Sequence, residues 1–170
     1  MRALNRSNLS EVDWSKLPAP VDDGAAAHLA GSQVPGLSLP STLGGNVNVA
    51  TLSGRTVLYI YPMTGRPGSA LPDAWDSIPG ACGCTQQSCS FRDHFEDLRS
   101  ESITHLFGLS TQDTDYQREA ALRLQLPFPL LSDSELQLAT GLRLPLMTVE
   151  GRVLLKRLAM VIDGGKITKV

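Results

Sequence analysis

Long apolar runs are missing from this chain. Its longest, such as Thr56 to Tyr61 and Leu158 to Ile162, fall far below the roughly 18 to 20 residues that span a bilayer as a helix, so no membrane crossing is expected. Runs of like charge are missing too. The largest basic cluster is the pair Lys156-Arg157, and 15 basic residues against 17 acidic leave a net charge of -2. That balance lacks the electrostatic footprint of nucleic-acid binding. The first thirty residues hold Glu11, Asp13, Asp22 and Asp23 and no apolar core of the signal-peptide kind, so the expected location is cytoplasmic. Cysteine is scarce: the three cysteines all lie between Cys82 and Cys89. They are too local to staple a secreted fold, and in a reducing compartment such a cluster marks metal binding or redox chemistry. Internal repeats and low-complexity tracts are absent. With 42% hydrophobic and 19% charged residues in a chain of 170, what remains is one ordinary globular domain.

Residues 1–35 carry Pro18, Pro20, Gly24, Gly31 and Pro35 between short apolar patches and read as an irregular arm laid over a domain of residues 36–170. Leu37 and Leu39, then Val47 and Val49, alternate about Gly44-Gly45 as in an edge β-hairpin. TVLYIY (56–61) is a continuous β-branched and aromatic run, expected as a central strand buried on both faces. Pro62, Pro67, Pro72 and Pro79 with Gly65, Gly68, Gly80 and Gly83 then make a long loop. From Cys84, TQQSCSFRDHFEDLRS places Phe91, Phe95 and Leu98 at helical spacing, predicting one amphipathic helix. ITHLFGLS (103–110) reads as a second buried strand and 114–124 as a helix. Ser132-x-x-Glu135 looks like a capping box opening a short helix that stops at Gly141. Residues 153–162 and 167–170 flank Asp163-Gly164-Gly165-Lys166, strong hairpin chemistry. This order predicts an α/β, thioredoxin-like three-layer sandwich on a mixed central sheet.

Cys84 is expected in the first turn of its helix, where the macrodipole and unpaired N–H groups favour thiolate over thiol. Cys89 follows five residues later, about 140° around and roughly 7.5 Å along the helix, so the two Cβ atoms lie near 10 Å apart. A disulfide needs about 4 Å. Pairing them therefore requires the first turns of the helix to unwind. On ligand types alone, Cys82, Cys84, Cys89 and His94 also suggest zinc, but Cys89 and His94 are themselves about 140° apart on one helix.

GCTQQSCSFRD resembles the Gly-Cys-Thr-x-Glu-x-Cys-x-Phe-Arg-Asp signature of Q-type peroxiredoxins, the bacterioferritin comigratory protein group. The resemblance runs from about residue 34 to 170, through LPSTLGGNVNVATLSGRTVLYIYP and the strand after Lys156-Arg157. It implies a thioredoxin-like fold and a thiol-dependent peroxidase acting on hydrogen peroxide or small organic hydroperoxides. Carried over residue by residue, it makes Cys84 the peroxidatic cysteine, Cys89 the resolving cysteine, and Arg157 the guanidinium that lowers the thiolate pKa and binds peroxide. Pro62 would wall the pocket. It further implies an intramolecular disulfide reopened by thioredoxin or glutaredoxin, no metal or organic cofactor, and a monomer or homodimer.

Several positions depart from the family. Ala81 and Ser77 stand where it places the threonine and proline of its Pro-x-x-x-Thr-x-x-Cys motif, leaving Thr64 or Thr85 as replacements for the lost hydroxyl. Gln87 replaces a glutamate. An insertion (MTGRPGSALPDAWDSIPGAC) separates the strand from the cysteine loop, and the family's final helix has no counterpart before Val170. One alternative is a redox sensor or binding module of the same fold without efficient turnover. A disulfide oxidoreductase is a weaker rival, because the required C-x-x-C is absent. Cys82 reads as a loop thiol able to serve as another disulfide partner. Arg92-Asp93 reads equally as family signature or helix-surface pair, and His94 and His105 read as structural or exposed.

Overall fold

The computed structural model describes residues 14–170, so expectations for residues 1–13 lie outside the described residues. Gly44 and Gly45, at φ 91° and 66°, reverse the chain and pair Leu39–Pro40 (β1) with Asn46–Val47 (β2). This is the expected hairpin, two residues per strand. It stands apart from the main sheet but is tied to it by a bridge from Ser41 to Leu131.

Arg55–Ile60 (β3) is buried from its second residue onward, and its alternation builds both cores. Leu58 and Ile60 enter one cluster with Leu109, Met160 and Ile162, while Val57 and Tyr59 enter the other with Leu106, Phe128 and Cys84. Such two-sided burial is what a continuous β-branched and aromatic run permits. The cysteine segment forms Cys84–Asp93 (α1) and Phe95–Ser100 (α2). Instead of one helix there are two, broken at His94, whose backbone leaves helical values (φ -104°, ψ 17°). Ile103–Ser110 (β4) matches the expected strand, and Thr114–Arg123 (α3) the expected helix.

Leu130–Ser132 (β5) takes up the residue expected as a cap. The Ser132 hydroxyl donates to Gln112 O at 2.7 Å. The short helix is Gln137–Leu142 (α4), and Asp133 caps it, its carboxylate accepting from the backbone N–H groups of Leu138 (3.0 Å) and Ala139 (2.8 Å). The spacing in the sequence suited a capping box, but the neighbouring Asp133 is buried at the helix entrance and offers two acceptors to free donors.

The run over 153–162 also divides. Arg152–Leu155 (β7) pairs with Leu146–Val149 (β6) about Glu150 and Gly151, both at positive φ, and Leu158–Asp163 (β8) then joins the main sheet. Lys166–Lys169 (β9) closes the expected hairpin. The main sheet has the order β5-β4-β3-β8-β9; β3, β4 and β5 are parallel, and β8 and β9 antiparallel. Phe91, Phe95 and Leu98 of α1 and α2 cover one face with Ala121 of α3. On the other face α4 packs beside Leu29 and Val34 from the N-terminal segment. That segment also bonds to β9, with Gly31 N donating to Ile167 O and Ile167 N to Ser32 O. Farther back, Asp23 pairs with Lys156 at 2.8 Å.

Candidate active site

Gly83, at φ 94° and ψ 10°, takes a left-handed turn at the entrance of α1, so Cys84 begins the helix. Only glycine reaches that conformation without steric cost. The Cys84 side chain is 3% exposed and lies among Tyr59, Tyr61 and Leu106. Its thiol donates to Ala81 O at 3.3 Å. The anchor below is Tyr59, whose hydroxyl donates to the buried Ser88 Oγ at 3.0 Å and whose ring stacks on Phe91 at 4.4 Å.

Arg157 reaches this sulfur because the chain turns between β7 and β8, with Lys156 N bonded to Pro145 O. Arg157 Nη2 donates to Cys84 Sγ at 3.2 Å, to Cys82 O at 2.9 Å and to Gly80 O at 3.2 Å; Nη1 donates to Gln87 Oε1. One guanidinium thus holds the cysteine loop, the helix start and the sulfur together. Gln87 accepts this bond without a charge of its own.

Burial pushes the Cys84 thiol upward, against the charge of Arg157, the backbone N–H of Met63 and the Arg157 hydrogen bond, and burial prevails. Arg157 pulls toward the thiolate, but an ion in this apolar pocket loses more hydration than its partners return.

Of the other anticipated residues, Pro62 is buried between Tyr61 and Met63, on the segment whose Met63 N–H faces the sulfur. Thr85 is half-buried as the second residue of α1. The Thr64 hydroxyl is held away, donating to Gln112 Oε1 at 3.2 Å while Gln112 Nε2 donates to Thr64 O. Cys89 is a free, half-buried thiol on the same helix as Cys84, so the separation computed for a straight helix stands. Arg92 is more than a surface residue: it pairs with Asp93, donates to Leu124 O at 2.8 Å and lies against the Cys89 sulfur. Its arginine type was a visible signal, but its direction was not.

Cys82 is half-buried, its thiol donating to Asp76 Oδ1 at 3.2 Å. His94 bonds Asp97 and His105 bonds Ser53 O, so neither reaches a cysteine. Among the described residues no group of three or more His, Cys, Asp or Glu side chains converges as a metal site.

Comparison with known proteins places the chain in a family. A model of the family described as Redoxin matches residues 29–170. The chain is 33% identical over 109 residues to Peroxiredoxin Bcp of Escherichia coli strain K12, covering 64% of this chain and 60% of that protein. It is 33% identical over 104 residues to the chloroplastic Peroxiredoxin Q of Oryza sativa subsp. japonica, covering 61% and 41%. The matches thus span about half the length of these relatives. The crystal structure of peroxidoxin BcpB from Mycobacterium tuberculosis superposes with a TM-score of 0.64 at 25% identity, covering 82% of each chain.

Proposed function

Because the chain belongs to the redoxin family, among its Q-type, Bcp-like peroxiredoxins, we propose that it is a thiol-dependent peroxidase with Cys84 as the peroxidatic residue. The observation that carries this reading is the single Arg157 nitrogen bonded to both Cys84 Sγ and the loop carbonyls at the start of α1. The substrates are hydrogen peroxide or small organic hydroperoxides.

In this mechanism the Cys84 thiolate attacks one peroxide oxygen, the O–O bond breaks, and sulfur takes the hydroxyl as sulfenic acid. The departing oxygen leaves as water or an alcohol after gaining a proton. Arg157, fork-shaped and permanently charged, donates to sulfur and to the substrate oxygen that accumulates charge. The backbone N–H of Met63 also favours the thiolate. Cys89 then condenses with the sulfenic acid. For this, α1 unwinds at its first turns and Ser88 leaves Tyr59, because the intact helix holds the sulfurs too far apart. Thioredoxin or glutaredoxin reopens the disulfide by exchange. No metal or organic cofactor takes part, the compartment is a reducing one such as the cytoplasm, and the enzyme works as a monomer or homodimer.

The upward pull of burial on Cys84 and the Ala81 substitution favour one second reading, a sensor that oxidises without efficient recycling. The test is peroxide consumption coupled to thioredoxin, thioredoxin reductase and NADPH. Wild type is expected to turn over continuously and Cys84→Ser to consume nothing. A single stoichiometric oxidation without recycling selects the sensor, and an active Cys84→Ser variant refutes both.

A further inference from the structure

We propose that Cys82 is a second resolving cysteine, condensing with Cys84 sulfenic acid without unwinding of α1 and passing its proton to Asp76. The proposal rests on Cys84 being the peroxidatic residue. Cys82 and Cys84 are separated by Gly83 alone, in the turn that precedes the helix. Two residues span at most about 7 Å between Cα atoms, and a disulfide accepts Cα separations of about 4.4 to 6.8 Å. Cys89, by contrast, is held on the body of the helix. Arg157 Nη2 bonds the Cys82 carbonyl and the Cys84 sulfur together, so the loop is already gathered around the reacting atom. The approach requires rotation of the Cys82 side chain and adjustment at Gly83, whose missing Cβ permits it.

Asp76 supplies the chemistry that a bystander thiol would lack. It lies in the short turn Trp75–Ser77, half-buried, and its Oδ1 accepts from the Cys82 thiol at 3.2 Å. The step balances. The Cys82 S–H proton passes through Asp76 to the hydroxyl leaving Cys84, an S–S bond replaces the S–OH bond, and water departs. Cys82 sulfur is oxidised while the sulfenic sulfur is reduced, the peroxide having supplied the oxidising equivalents. Cys82 also lines an open cleft of about 490 Å³ with Gly83, Gln86, Gln87, Ser90 and Arg157, which leaves the new disulfide within reach of an external thiol.

The test uses Cys89→Ser, which keeps both Cys82 and Cys84, oxidised with hydrogen peroxide in the presence of dimedone, alkylated and mapped by mass spectrometry. The expected product is a Cys82–Cys84 disulfide, no dimedone on Cys84, and unchanged helical circular dichroism. The double variant C82S/C89S is expected to carry dimedone on Cys84. Dimedone on Cys84 in Cys89→Ser, with Cys82 alkylated as a free thiol, overturns the proposal while leaving the peroxidatic role of Cys84 intact. Cys84 unoxidised in every variant overturns both. Within the Cys89→Ser background, Asp76→Asn is expected to slow disulfide formation about 100-fold near neutral pH, the gap closing as pH rises. Equal rates at all pH values remove Asp76 from the step.

Discussion

Replacing Arg157 with methionine keeps a long apolar stem and removes every donor at its tip. Arg157 Nη2 is 3.2 Å from Cys84 Sγ, and Cys84 is 3% exposed, so the attraction acts in a largely dehydrated place. At a charge separation of about 4 Å and an effective dielectric constant of about 20, it amounts to about 4 kcal/mol. Arg157 is half-buried and also bonds Gln87, Gly80 and Cys82, so solvent and sharing reduce it to about 2 to 3 kcal/mol. At 1.36 kcal/mol per tenfold, the thiolate population at neutral pH falls about 30- to 150-fold. The assay is iodoacetamide alkylation of Cys84 in a C82S/C89S background across pH. Arg157→Met should shift the rate profile toward alkaline pH, and Arg157→Lys should fall between, retaining the charge without the fork. Thermal melting of each variant checks that the loop remains folded. If Arg157→Met alkylates at neutral pH within about threefold of its parent, the guanidinium does not stabilise the thiolate and the reasoning fails.

Gly108→Ala would put a Cβ 2.5 Å from Tyr59 Cζ and 2.6 Å from Leu130 Cδ2, in the middle of β4. Tyr59 cannot retreat without releasing Ser88 and Phe91, so we expect a loss of about 2 to 3 kcal/mol, seen by urea unfolding; unchanged stability would contradict that packing. Burial also raises the titrations of Tyr59, Tyr61 and Cys84. The folded state keeps these protons longer than the unfolded chain, so their stabilisation is complete below the unfolded values and is lost as pH rises through the folded ones. Reduced protein should therefore weaken from about pH 9 upward, and Cys84→Ser only from about pH 10. Urea midpoints that stay level across that range would refute the burial argument.

The parts of the molecule readable from sequence are those set by neighbours along the chain. TVLYIY foretold β3 because a strand buried on both faces needs an unbroken apolar, β-branched run, and ITHLFGLS foretold β4, which is buried only from Leu106 onward. Gly83 before Cys84 placed the helix start, and the glycine pairs placed two turns. The misread parts have non-local causes. Residues 153–162 carry one strand-like pattern, yet the chain bends at Lys156-Arg157 because β7 pairs with β6 and β8 with β3. Ser132 fits a capping box, yet β5 pairing claims it and leaves the cap to Asp133. Nothing in the pattern showed that Cys82 faces Asp76 or that Arg92 lies against Cys89.

By itself the sequence determined the fold class, the helix that begins at Cys84 and the residue types of the site, because periodicity, turn chemistry and the cysteine signature are local properties. Tertiary structure alone decided the electrostatics of the sulfur. Arg157 lies 73 residues from Cys84 and meets it only when β8 docks beside β3. The apolar pocket that opposes ionisation is assembled from Tyr59, Tyr61, Leu106 and Phe128, which come from three segments of the chain. Charge attraction and desolvation both depend on distance in space, and distance in space is what packing sets.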